Sequence, residues 1–109
     1  MNENYTLQLK LLHGFSNRIR YAILMSLKNG EQNVTDLIET VGGSQSSVSQ
    51  HLACLRDCGL IEKRNEGKYY FYRLTTPKIV QLLDLLNETI SDFHWDEATE
   101  ILKCKHHMD

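Results

Sequence analysis

The chain has 109 residues, 41% of them hydrophobic and 24% charged, with a formal net charge of −2 and three cysteines. These values exclude a disordered chain and a multi-domain one, and they predict a single domain, 1–109, around one modest core. No apolar run reaches membrane-span length and no secretory leader opens the chain, so the expectation is a cytoplasmic protein with no membrane partner, whose cysteines are thiols or metal ligands rather than disulfides.

Tyr5, Leu9 and Leu12 recur at helical spacing and predict a first helix over about 5–13. "SNRIRYAILMSLKNG" follows, with Ser16 or Asn17 as cap, Ile19, Ile23 and Leu27 four apart, and Asn29-Gly30 as the stop. "NVTDLIETVGG" is a short helix with one apolar stripe, closed by two glycines. "SQSSVSQHLACLRDCG" comes directly after it. Ser44 is its N-cap, Val48, Leu52 and Leu55 form its core stripe, and Gly59 ends it. Two helices joined by so short a glycine turn have the helix-turn-helix connection.

The period then changes. In "LIEKRNEGKYYFYRL" the aromatic run Tyr69 to Tyr72 is strand-forming and Asn65-Glu66-Gly67 is the expected turn, giving a β-hairpin with Lys63, Arg64, Lys68 and Arg73 around it. Thr76-Pro77 opens a last long helix over about 77–93. Ile79, Leu83, Leu86, Ile90 and Phe93 mark one apolar face of it, and Val80, Leu82 and Leu85 a second. A helix apolar on two faces in a small domain has two partners, its own core and a second subunit. The expected fold is therefore mainly α with a β-hairpin wing, a dimeric winged helix-turn-helix. The terminal helices, about 5–13 and 77–93, would make the dimer.

Charge and polarity point to double-stranded DNA. Between Arg56 and Lys78 six Lys/Arg stand against three Asp/Glu, whereas from Ile79 onward two stand against seven, so a near-neutral average hides a basic middle and an acidic tail. Gln45, Ser46, Ser49 and Gln50, with Ser47 on the flank, give the fourth helix an uncharged surface. A solvated face normally carries Lys and Glu, whereas Ser and Gln suit hydrogen bonding to base edges. Arg18, Arg20, Arg64 and Lys68 are the candidate phosphate contacts. Each of these polar residues taken singly reads equally well as solvated surface. Polarity, capping and the basic hairpin together favour DNA.

Cys54 and Cys58 lie about 40° apart on the helical wheel and off the core stripe. At this point they are packing thiols, a redox pair, or two ligands waiting for a third. His51, on the same flank, is either a further ligand or a local hydrogen-bonding residue, and the local role is the commoner one.

"SQSSVSQHLACLRDCGLIEKRNEGKYYFYRL", residues 44–74, resembles the signature stretch of the ArsR/SmtB metal-sensing repressors in its Ser-rich start, its "VSQHL", its "GLI" and its "EGKYYFY". The likeness in helical order extends from about Asn17 to Phe93. It implies a homodimer that binds a palindromic operator without metal and leaves it when metal binds. Family members differ in where the ligands sit. One class uses Cys-x-Cys on the helix before the reading helix, where this chain has "VTDLIETV". Another uses the last helix, where His94 and Glu97 match one half of the site but Gln81 and Leu83 replace the other. "LACLRDCGL" instead resembles the cadmium/lead sensors of the CmtR/CadC type. That likeness implies Cys54, Cys58 and Cys104 as ligands, with Cys104, in a C-terminal tail of about 95–109, reaching across from the other subunit. Three thiolates form a soft site for Cd(II) or Pb(II), while Zn(II) would want a fourth donor from His51, His106, His107 or water. The rivals are a thiol-redox or persulfide-sensing repressor of the same fold and a winged-helix interaction module without DNA binding. No nucleophile-base pair, phosphate loop or zinc helix suggests an enzyme.

Overall fold

The computed structural model describes residues 3–93. Its elements are α1 (Glu3–Phe15), α2 (Arg18–Ser26) with a closing 3-10 turn (Leu27–Asn29), β1 (Gln32–Asn33), α3 (Val34–Val41), α4 (Gln45–Asp57), β2 (Ile61–Glu66), β3 (Tyr69–Leu74) and α5 (Pro77–Ile90). This is the expected winged helix-turn-helix.

Side-chain caps set the helix starts. Asn17 Oδ1 accepts from the Ile19 and Arg20 amides at 2.9 and 3.0 Å, so Asn17 rather than Ser16 caps α2. Ser44 Oγ accepts from the Ser47 amide at 3.0 Å, and Thr76 Oγ1 from Lys78 N–H with Pro77 in the first turn. Such caps satisfy amides that have no partner within the helix. Between α3 and α4, Gly42 and Gly43 take φ of 77° and 104°, values that a side chain would disfavour.

The core joins all the predicted stripes. Ile23 and Leu24 of α2, Leu37 of α3, and Val48 and Leu55 of α4 are fully buried, with Leu60, Ile61, Tyr72, Ile79 and Leu83 closing around them. Each such aliphatic side chain contributes about 1.5–3 kcal/mol of burial free energy. Gly14 is the buried contact of α1: a Cβ there would overlap Leu60 Cδ1 and lie 3.7 Å from Leu55 Cδ2, so its missing side chain lets α1 rest on the end of α4.

Three features differ from expectation. The sheet has three strands in the order β1-β3-β2, because Gln32 and Asn33 pair antiparallel with Tyr72 and Phe71. The hairpin turn is Gly67-Lys68, not Asn65-Glu66-Gly67: Asn65 pairs with Tyr70 and Glu66 with Tyr69, and Gly67 takes a φ of 63°. Helix α5 stops at Ile90 rather than 93, where Ser91 caps it. Cys104, His94, Glu97, His106, His107 and the tail of about 95–109 lie outside the described residues.

Candidate nucleic-acid interface and thiol site

The stripe Val48, Leu52 and Leu55 anchors α4 in the core, and the opposite surface follows from it by helical period. Gln45, Ser46, Ser49 and Gln50 are all exposed there, near the helix N-terminus, and Ser47 is half-buried on the flank. The N-terminal end of such a helix is the part that enters a major groove. Arg18 is exposed at the start of α2.

The wing carries cations over aromatic faces. Lys63 Nζ lies 4.0 Å from the Tyr70 ring centroid, Arg64 4.9 Å from Phe71, and Lys68 6.0 Å from Tyr69, while Tyr69 and Tyr70 are themselves exposed. Arg64 is already paired: Glu31 accepts from its Nε and Nη2, and Glu66 from its Nη1. That pairing raises the guanidinium pKa and lowers the Glu31 carboxyl below its ordinary range. Arg73 is similarly held by Glu62 at 2.6 Å. Lys63 and Lys68 are therefore better placed for phosphates than Arg64, which would have to leave two carboxylates first.

Arg20 does not stand where the sequence suggested. It is only 8% exposed and points inward, where Nη2 donates to the His13 carbonyl at 2.8 Å and Nη1 to His51 Nδ1 at 3.3 Å. The physical reason is that α1 folds across this flank of α2, so an arginine that reads as solvated on the wheel is enclosed. Because a guanidinium only donates, His51 Nδ1 is the acceptor in this contact. The Nδ1 lone pair, one of the two through which His51 could ligate a metal, is thus engaged by Arg20.

Cys54 and Cys58 are both free and half-buried. Cys58 sits at the C-cap of α4 against the edge of the core, and its amide donates to the Cys54 carbonyl at 3.0 Å, which fixes the two residues one turn apart. Burial first, and then the neighbouring Cys54 thiol, push the Cys58 pKa up, while Lys10 and Arg20 pull against that shift. Lys10, from α1, was not singled out in the sequence: nothing local to it signals that α1 lays it near the thiols. Among the described residues no cluster of three His, Cys, Asp or Glu gathers as a metal site. The described chain therefore brings together two of the three expected ligands.

The helix-turn-helix segment also has relatives. Residues 17–63 match the family profile "Bacterial regulatory protein, arsR family". The biofilm growth-associated repressor of Xylella fastidiosa is 38% identical over 76 residues, 70% of this chain and 67% of that protein. The transcriptional activator HlyU of Vibrio cholerae is 36% identical over 87 residues, 80% of this chain and 81% of that one. Its solved structure superposes with a TM-score of 0.75 at 34% identity, covering 84% of this chain and 99% of that chain. A probable mercury resistance operon repressor of Streptomyces lividans is 36% identical over 66 residues, 61% of this chain and 53% of that protein. The matched span runs from the Asn17 cap through the reading helix into the first wing strand, and the chain belongs to the arsR family of bacterial regulatory proteins.

Proposed function

We propose that the chain is a metal-responsive transcriptional repressor that binds a palindromic operator as a homodimer. Cd(II) or Pb(II), bound by Cys54, Cys58 and Cys104, releases it. The observation that carries the reading is the pair of half-buried thiols one turn apart on the helix that also presents Gln45, Ser46, Ser49 and Gln50. The donor chemistry suits thiophilic ions. The likeness to a mercury resistance repressor and to the biofilm growth-associated repressor agrees with it. The apolar faces of α1 and α5 support the dimer.

The consequence for DNA is electrostatic and geometric. Three thiols that surrender their protons around a divalent ion change the local charge from zero to −1 on the reading helix itself. A ligand from the tail would also tether that helix. Both effects oppose phosphate binding, so ion and operator should weaken each other, typically by ~1–3 kcal/mol.

A redox reading that runs through a Cys54–Cys58 disulfide is less well served. Helical residues four apart have Cβ atoms about 5–6 Å apart, whereas a disulfide needs about 3.5–4.5 Å.

The deciding experiment titrates the operator complex with Cd(II), Pb(II), Zn(II) and Cu(I) in the parent chain and in Cys54→Ser, Cys58→Ser and Cys104→Ser. Each variant should bind operator and resist release by cadmium. Release from all three variants would remove the site assignment, and loss of free thiols on mild oxidation with DNA release would install the redox reading instead.

A further inference from the structure

The hairpin is anchored in the core only at its base. Ile61 of β2 and Tyr72 of β3 are buried, whereas Asn65, Glu66, Tyr69 and Tyr70 toward the turn are exposed. A two-stranded ribbon that leaves a core is marginal by itself and twists strongly. The third strand, β1, joins it through Gln32 with Tyr72 and Asn33 with Phe71. At that level a side-chain link crosses the whole sheet. Glu31, the residue before β1, takes Arg64 of β2 in a two-point grip: Oε2 accepts from Nε at 3.1 Å and Oε1 from Nη2 at 2.5 Å. Because β3 is the central strand, the pair runs from one edge of the sheet to the other, and the guanidinium lies 4.9 Å from the centroid of the Phe71 ring between them. Glu66 accepts from Nη1 at 3.2 Å on the turn side. Arg64 and Phe71 stand on the face opposite Ile61 and Tyr72, since alternate strand residues share a face.

An exposed ion pair adds little stability, but a bidentate one fixes geometry. The geometry matters here because Asn33, two residues after Glu31, also starts α3. The link from Arg64 therefore ends on the segment that leads into the helix pair. To reach a phosphate, Arg64 would first give up three charge-assisted hydrogen bonds.

We infer that Arg64 is a positioning residue with Glu31 as its anchor, and that this cross-sheet brace sets the angle at which the wing presents Lys63 and Lys68 to DNA. The inference rests on the DNA-binding part of the proposed function and is independent of the metal.

The test uses the full chain and a palindromic duplex that the parent selects from a randomised pool. Protection of guanine N7 from methylation reports the major groove and marks the two half-sites, and the same duplex cut back to them is the second probe. The ratio of the two affinities, read by fluorescence anisotropy, measures what is added outside the reading helices. In the parent it should be about tenfold or more. Glu31→Gln, Arg64→Gln and the double variant should each lower the ratio by about threefold or more, and by the same amount, because either loss opens the same brace. Affinity for the cut-back duplex should hold. Arg64→Lys keeps the charge without the two-point grip, so its ratio should fall as in Arg64→Gln.

If Arg64 instead contacted phosphate, Glu31→Gln would free it and raise the ratio, and Arg64→Lys would keep the parent ratio. Either result would overturn the inference. A pair that serves stability alone would lower the melting temperature and leave the ratio at its parent value, which would overturn it equally. Should the Arg64 variants fail to fold, the direction of change in Glu31→Gln decides by itself. A parent that selects no duplex would overturn the DNA reading and this inference together, whereas a parent that binds both duplexes alike would overturn the brace alone.

Discussion

The Cys58 thiol holds its proton above the ordinary cysteine range because it is half-buried and because a second thiol lies beside it. A folded pKa above the unfolded one means that the unfolded chain releases this proton first. The contribution to stability is therefore complete below the unfolded value and is lost as pH rises from that value through the folded one. Ion binding runs the other way. Each thiol must give up a proton, so Cd(II) affinity should rise by about tenfold per thiol per pH unit while the thiols remain protonated. Cys58→Ser should reduce the slope of log affinity against pH by about one, read from charge-transfer titrations between about pH 6 and about pH 8. An unchanged slope would mean that Cys58 is not a ligand. The arginines make a related point about context. Arg64 lies among exposed carboxylates, where salt screens its pairs, whereas Arg20 is enclosed with a carbonyl and an imidazole ring.

Helix α4 combines its functions by position along its length: polar residues at its start, an apolar stripe along one side, thiols at its end. Ser44 controls the start. Ser44→Ala should cost about 1 kcal/mol in denaturant unfolding through the lost cap, and it should weaken operator binding beyond that by fraying the turn that carries Gln45 and Ser46. Normal affinity in a folded Ser44→Ala chain would separate the cap from DNA binding. This helix was legible in the sequence because its signals are local: a cap, a four-residue apolar period, a terminal glycine. The thiol pair was legible for the same reason, since the helical period alone decides that residues 54 and 58 share a flank. The first strand was not. Gln32 and Asn33 have no alternation of their own and become a strand only by pairing with Tyr72 and Phe71, which are remote in sequence. The inward turn of Arg20 was hidden likewise, because it depends on α1 crossing a flank that α2 by itself leaves open.

At the scale of the molecule, the prominent feature is apolar surface left uncovered. Leu7, Leu9 and Leu12 of α1 and Leu82, Leu85, Leu86 and Ile90 of α5 are all exposed, and Leu11, Phe15 and Thr89 complete a groove between the two helices. A single chain rarely leaves so continuous a patch in water. Leu85→Glu should convert a dimer to a monomer in analytical ultracentrifugation and weaken binding to a two-half-site operator far more than to an isolated half-site. A monomeric parent would refute the assembly, and a dimeric Leu85→Glu would place the interface elsewhere. Within the chain, Asn33 belongs to two elements at once. It pairs with Phe71 as the last residue of β1, and its Oδ1 accepts from Asp36 N–H at 2.8 Å to start α3. Wing and α3 therefore meet at a shared residue with no linker between them, so the sheet cannot swing independently of α3. In the proposed dimer, an inducer acting on such a body would alter where the two heads stand relative to each other and leave intact what each head recognises. The induced protein should then keep its sequence preference on half-sites while losing tolerance for the natural spacing between them.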